Sequence, residues 1–188
     1  MGRLVNSTYL SLDGVVQHAE SWTFDYRTDD AAQYSHELLF GSDALLMGRH
    51  TYDIFAGHWP SVTDDTGFAD RMNTLPHYVI SEALTEPSWA NTTVVSRRDA
   101  HDAVKQLKDE VGAVLQYGFG PVTTDLLSAG LVDELQFWLH PLLVGATNSA
   151  DLIAHTTPEA RLELSDLRRF ASGLLILTYQ PAGVPAAS

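Results

Sequence analysis

The chain has no cysteine, only two lysines, and no apolar run of membrane-spanning length. Without cysteine it can form no disulfide, thiol nucleophile or thiolate metal site, which fits a reducing compartment. The lysines are Lys105 and Lys108, and with nine arginines against 24 acidic residues the formal charge is −13. Nucleic acid and anionic membrane surfaces call for basic patches, so neither is expected as a partner. A bilayer span needs about 20 apolar residues in a row, and the start of the chain shows no charged-then-apolar leader. A soluble, cytoplasmic protein is therefore expected. Several catalytic signatures are missing too. The eight histidines form no His-Glu-x-x-His, and there is no Gly-x-Ser-x-Gly elbow or Gly-Lys-Ser/Thr loop. Zinc hydrolysis, acyl transfer and kinase-type phosphoryl transfer lack their parts, and no metal site is expected.

What is present is ordinary for one globular domain: 188 residues, 45% of them hydrophobic. Strand-like apolar runs alternate with helix-like segments, the pattern of an α/β layered sheet. Strands are predicted at Arg3 to Leu12, Asp43 to Met47, His77 to Ser81, Thr92 to Ser96, Ala113 to Tyr117 and Glu134 to Val144. Helices are predicted from Asp30 to Phe40, after Gly48, around Phe68 to Asn73, from Asp99 to Lys108, and through Leu127. Leu162 to Phe170 and Leu174 to Tyr179 are joined by a short glycine-containing link and read as an antiparallel pair, so the sheet is mixed. One domain over 1–180 and a loose tail over 181–188 follow, since "PAGVPAAS" has no apolar periodicity.

Two stretches carry a ligand signal. In "ALLMGRHTYDIF" four apolar residues read as a strand buried on both faces, Gly48 ends it, and Tyr52, Ile54 and Phe55 follow with helical spacing. In "VLQYGFGPVTTDLL" a second apolar strand meets Gly118 and Gly120, and Pro121 occupies a first-turn position where a missing N–H costs nothing. Each is also a plain strand-to-helix corner, and Gly-x-Gly is short of the full Gly-x-Gly-x-x-Gly because Thr123 follows. Together they place two uncommitted helix starts after buried strands, and ligands of open α/β sheets sit outside the carboxyl ends of such strands. An elongated, doubly phosphorylated cofactor suits that pairing.

"LLMGRHTYDIF" resembles the Gly-Arg-x-Thr segment of dihydrofolate reductases, and "YGFGPVTTDLL" resembles their later glycine turn and helix. "STYLSLDGVV" and "LLSAGLVDELQFWLHPLLVG" are similar to the reductase domain of bacterial riboflavin synthesis, the C-terminal part of the bifunctional deaminase-reductase. The likeness runs from about Arg3 to Gln180. It implies a three-layer α/β/α fold with a mixed sheet, parallel in the centre and antiparallel at its C-terminal strands. It also implies NADPH as cofactor and hydride transfer to a small heterocyclic or imine-type substrate, as in 5-amino-6-(5-phosphoribosylamino)uracil reductase. Gly48, Arg49, His50 and Thr51 would then hold the diphosphate and adenosine ribose phosphate. Gly118, Phe119, Gly120, Pro121 and Val122 would take the other side of the bridge. Ser81, Ser96 and Arg97 would serve the 2′-phosphate, for which a guanidinium fork is the expected partner. Glu82 stands where several relatives carry arginine, and "SRRD" reads also as a charged turn.

The resemblance places Asp13 of "SLDG" near the nicotinamide, although an Asp-Gly turn explains the same pair. Trp22, Phe24 and Trp59 are candidates to wall a flat heterocycle, or to pack the core. Asp30 is a candidate to face a pterin, or a helix-start acid. His140, in an apolar strand, reads as a core or interface histidine. The resemblance implies a homodimer, for which "LQFWLHPLLV" offers an apolar strand. A dihydrofolate reductase proper and a noncatalytic NADP-binding module are the rival functions. No lysine or arginine lies between Asp133 and His155, so a phosphorylated substrate would rely on Arg161, Arg168, Arg169 or a partner subunit.

Overall fold

Parity along the strands divides the core in two. The computed structural model describes residues 2–145, 148–155, 157 and 159–182. Leu4, Ala44, Leu46, Ile80, Val114, Leu135 and Phe137 gather in one apolar cluster, and their immediate neighbours Val5, Leu45, Met47, Val79 and Leu115 in another. Successive side chains of a strand point to opposite faces, so a run apolar at every position is one whose two faces are both covered. These strands form one eight-stranded sheet in the order β4-β3-β2-β5-β1-β6-β8-β7. The first six are β1 (Arg3–Ser11), β2 (Ala44–Gly48), β3 (His77–Ile80), β4 (Thr92–Val95), β5 (Ala113–Tyr117) and β6 (Glu134–His140), all mutually parallel where they pair. The last two, β7 (Leu162–Arg169) and β8 (Leu175–Pro181), pair antiparallel, β8 also with β6.

Helices cover both faces. From α4 (Ala100–Glu110) and α5 (Pro121–Ser128), Val104, Leu107, Leu126 and Leu127 enter the first cluster. From α1 (Asp29–Phe40), α2 (Arg49–His58) and α3 (Phe68–Thr74), Leu39, Tyr52 and Met72 enter the second. The architecture is the three-layer mixed α/β sheet expected from the sequence.

Some expected boundaries move for identifiable reasons. β6 stops at His140 rather than Val144 because Pro141 has no N–H for the ladder, and Leu142 turns back to donate to His140 O at 2.8 Å. Pro181, assigned to the tail, closes β8, and the Ala182 N–H donates to Arg161 O at 2.8 Å. The rest of that tail, 183–188, lies outside the described residues. Ile54 does not join the buried face of α2: it is 44% exposed, while Tyr52 is buried and Phe55 packs beside it. At 100° per residue, positions 52 and 55 share a face and 54 does not. β6 runs between β1 and β8 with Leu135, Phe137 and Trp138 buried, so it is core and offers no interface strand.

Two polar clamps hold the amino ends of the central strands together. Asp43 Oδ2 accepts the N–H groups of Gly112 and Ala113, both at 2.9 Å, tying the start of β2 to the start of β5. Lys108, 3% exposed, reaches from α4 to Asp133 Oδ2 at 2.5 Å, and the same oxygen accepts Leu4 N–H at 2.6 Å.

Candidate functional site: the crevice between two helix starts

β2 and β5 are neighbours with Ala44, Leu45 and Leu46 opposite Val114, Leu115 and Gln116. Continued, that register sets Gly48 level with Gly118, where each strand gives way to a helix. α2 leaves for one face of the sheet and α5 for the other, which makes the junction a topological switch point, the place where open α/β sheets form a crevice. The two starts abut. A Cβ on Gly48 would lie 3.3 Å from Val122 Cγ2, and one on Gly118 would lie 2.8 Å from Thr51 Oγ1. Gly118 also has φ +80°, a region that side chains rarely adopt.

Neither helix start carries a side-chain cap: the N-cap residues are Gly48 and Gly120. Their first-turn N–H groups and the positive ends of both dipoles therefore converge on one crevice. A Cβ on Gly120 would meet nothing within 4 Å, so space is open against that backbone. An extended diphosphate fits this arrangement: uncapped donors, a glycine that internal packing does not demand, and two helix mouths in contact.

The other expected cofactor contacts are more mixed. Arg49 Nε donates to both oxygens of Asp53, at 2.8 and 2.9 Å, one helical turn along an exposed surface. His50 is exposed beside it. Phe119 is 7% exposed with its ring 6.1 Å from Phe137, so its side chain anchors the loop inward and only its backbone faces the crevice. Pro121 opens α5, as its sequence position suggests. Ser81 Oγ accepts the N–H groups of Ala83 and Leu84, and Ser96 Oγ donates to Asp99 Oδ2 at 2.7 Å, so both hydroxyls close their own turns. The Arg97 guanidinium is exposed, while its N–H donates to Glu82 Oε1 at 2.6 Å. A carboxylate thus sits between the ends of β3 and β4, beside one of the two arginines expected to meet the adenosine phosphate.

Asp13 has a structural task. Its Oδ1 accepts from Ser11 Oγ at 2.5 Å and Val144 N–H at 3.1 Å, and its Oδ2 from Gly145 N–H at 2.7 Å. These donors, the Ser11 hydroxyl first, hold its pKa down to about 2. The carboxylate clamps the loop after β6 to the end of β1, and at neutral pH it has no proton to give.

The expected substrate residues do not meet in one wall. Trp22 lies edge-on to His140 with centroids 5.2 Å apart, at the end of β6. Phe24 is 63% exposed under the Arg27 guanidinium. Trp59 packs among Phe55, His58 and Phe68 at the far end of α2. Asp30 accepts from Thr28 Oγ1, Ala31 N–H and Ala171 N–H, so its carboxylate serves the start of α1 and the link before β8. Sequence reasoning missed the aromatic group around His140, whose ring is met edge-on by Tyr9, Trp22 and Tyr26 at 5.2 to 5.6 Å. It missed Tyr117 too, whose hydroxyl burial drives well above its ordinary pKa. Three tyrosines at strand and loop ends were the available signal. Among the described residues no group of three or more His, Asp or Glu could hold a metal ion, and no helix is long and apolar enough to cross a membrane.

Comparison with known proteins agrees with this architecture. The uncharacterized protein YyaP of Bacillus subtilis strain 168 is 24% identical over 182 residues, 94% of each chain. A structure from Shewanella sp. PV-4, named for riboflavin biosynthesis, superimposes with TM-score 0.73 at 18% identity, over 96% of this chain and 99% of that one. The Thermotoga maritima deaminase/5-amino-6-(5-phosphoribosylamino)uracil reductase matches with TM-score 0.66 at 15% identity, over 96% of this chain and 57% of its own. At those identities the likeness is one of fold. The family model for the RibD C-terminal domain matches residues 4–176, sheet, crevice and antiparallel strands together, and the chain belongs to that family.

Proposed function

We propose that the protein is an NADPH-dependent reductase that passes hydride to a small heterocyclic or imine-type substrate, similar to 5-amino-6-(5-phosphoribosylamino)uracil. The observation that carries this reading is the contact between the starts of α2 and α5, Thr51 against Gly118 and Val122 against Gly48. When bound, the cofactor supplies the hydride; the chain supplies orientation. The amides after Gly48 and Gly120 would hold the diphosphate. Arg49, released from Asp53, and Arg97 would meet the adenosine phosphate, and Ser81 and Ser96 would fix the turns that present it. The nicotinamide half then extends toward β1 and β6, where Tyr9, Trp22, Tyr26 and His140 form an aromatic wall for a flat substrate. Burial keeps His140 below its ordinary pKa, hence neutral at pH 7, and Asp13 stays ionised, so proton delivery falls to a tyrosine or to water.

We also propose a homodimer, formed on the open apolar strip of β7, where Leu164 and Leu167 are each 52% exposed. The test of the main reading is titration with NADPH and NADH, parent against Arg49→Ala. The expected result is tighter binding of NADPH by the parent and a loss of about tenfold or more in the variant, the scale of one charge-assisted contact. A parent that binds neither nucleotide removes the proposal.

A further inference from the structure

We propose that Asn6 is a positioning residue that turns the Gly118–Phe119 peptide so that the Phe119 N–H faces the crevice. This rests on the dinucleotide reading above and goes beyond it, since Asn6 touches no part of the proposed ligand.

Asn6 lies in the middle of β1 and is wholly buried. A buried amide in a strand is costly unless each polar atom finds a partner, and here each does. Nδ2 donates to Gly118 O at 2.7 Å and to Gln116 Oε1 at 3.2 Å, and Oδ1 accepts from Thr8 Oγ1 at 2.9 Å. Gln116 and Thr8 are themselves 1% and 2% exposed. The amide's orientation is fixed by chemistry, because the Gly118 carbonyl can only accept and must therefore face the NH2 group. Thr123 Oγ1 donates to the same carbonyl from α5 at 3.3 Å.

The consequence follows from peptide planarity. Among the described residues no peptide bond is cis, and in a trans peptide the C=O and the next residue's N–H point in opposite directions. Pulling Gly118 O inward therefore turns the Phe119 N–H outward, beside the uncapped start of α5. Among the described residues that N–H has no acceptor. The orientation is not intrinsic to the chain at this point. Glycine populates positive and negative φ about equally, so the Gly118 peptide takes the direction its neighbours impose. Asn6 is the more tightly bound of its two anchors and is held by Thr8 and Gln116 beneath.

The experiment pairs NADPH titration of the full chain with a crystal structure of the unliganded variant. Asn6→Leu keeps the forked shape of the side chain and removes the donor to Gly118 O, together with the acceptor for Thr8. The expected result is NADPH binding weaker by about tenfold, the scale of one buried hydrogen bond, together with a Gly118 carbonyl turned away from β1. Thr123→Val removes the second anchor and is expected to weaken NADPH in the same direction by a smaller factor; it decides the question if Asn6→Leu does not fold. Parent-like affinity in these variants overturns the proposal. So does weakened affinity with the peptide unmoved, which would make Asn6 only a packing residue. A parent that binds NADPH while both variants match it sinks the role of Asn6 alone, whereas a parent that binds no dinucleotide sinks the site reading and this with it.

Discussion

Thr51 and Gly118 meet across the crevice so closely that a Cβ on the glycine would stand 2.8 Å from the threonine hydroxyl. The same glycine has φ +80°, so alanine there conflicts twice, with the backbone and with α2. Gly118→Ala is expected to cost about 1–3 kcal/mol of stability in urea unfolding and to reduce NADPH affinity. Adding Thr51→Ala removes the contact and leaves the φ penalty. Partial recovery in the double variant is the expected outcome; full recovery would mean that the backbone conformation carries no strain for alanine.

A second prediction concerns the frame rather than the crevice. Asp133 Oδ2 takes the buried Lys108 ammonium and the Leu4 N–H together, locking α4 and the turn before β6 onto β1. Removing the acid leaves a cation 3% exposed and an amide without its acceptor. Asp133→Ala should destabilise by about 3 kcal/mol, while Lys108→Met should cost less because Asp133 is half exposed and can hydrate. Chemical denaturation of the three proteins checks the ranking, and equal losses would contradict it.

Asp13 gives a pH dependence of known sign. Its folded pKa is about 2 against an ordinary value of 3.8, so its clamp stabilises the fold fully above the ordinary value and loses effect as pH falls toward 2. Asp64, which accepts the Phe68 and Ala69 N–H groups at the start of α3, behaves alike and supplies part of the same acid limb. Asp13→Asn should therefore flatten, without abolishing, the fall in urea midpoint between pH 5 and pH 2. An unchanged slope would show that the contacts to Val144 and Gly145 do not depend on its charge.

The strands were legible because burial on both faces writes itself as nearly continuous apolar runs: Ala44 to Met47, and Ala113 to Tyr117 broken only by Gln116, were found almost to the residue. The two glycine corners were legible too, since apolar periodicity changes from strand to helix across them. That they would meet at one crevice was expected from the pairing of the two corners and from the resemblance, and the register of β2 with β5 brings them together; the close packing of Thr51 on Gly118 was not readable from local sequence. Asp13 and Asp30 show the complementary failure. An acid near a glycine or a helix start looks the same in sequence whether it faces ligand or accepts backbone N–H groups, and only distances to Gly145 or Ala171 separate the two. Asn6 was overlooked for a related reason. Polar residues within a strand suggest a solvated face, and here they form a closed network under Gly118.

The last prediction tests the proposed pairing. Among the described residues β7 is an edge strand paired with β8 alone, and its register shift between Leu164 and Asp166 puts Leu164 and Leu167 on one face. Their partners across the ladder, Tyr179 and Leu177, are only partly buried and border the first apolar cluster. Neither α4 nor α5 covers this strip, and its edge presents unpaired backbone groups as well. A second copy of the same strip would bury both leucines in a two-fold, self-complementary contact. Leu164→Lys with Leu167→Lys places like charges opposite one another in such a contact, while both positions stay solvated in a monomer. Sedimentation should show a dimer for the parent and a monomer of unchanged thermal stability for the double variant. A parent that sediments as a monomer would remove the pairing, and a double variant that still dimerises would move the interface elsewhere.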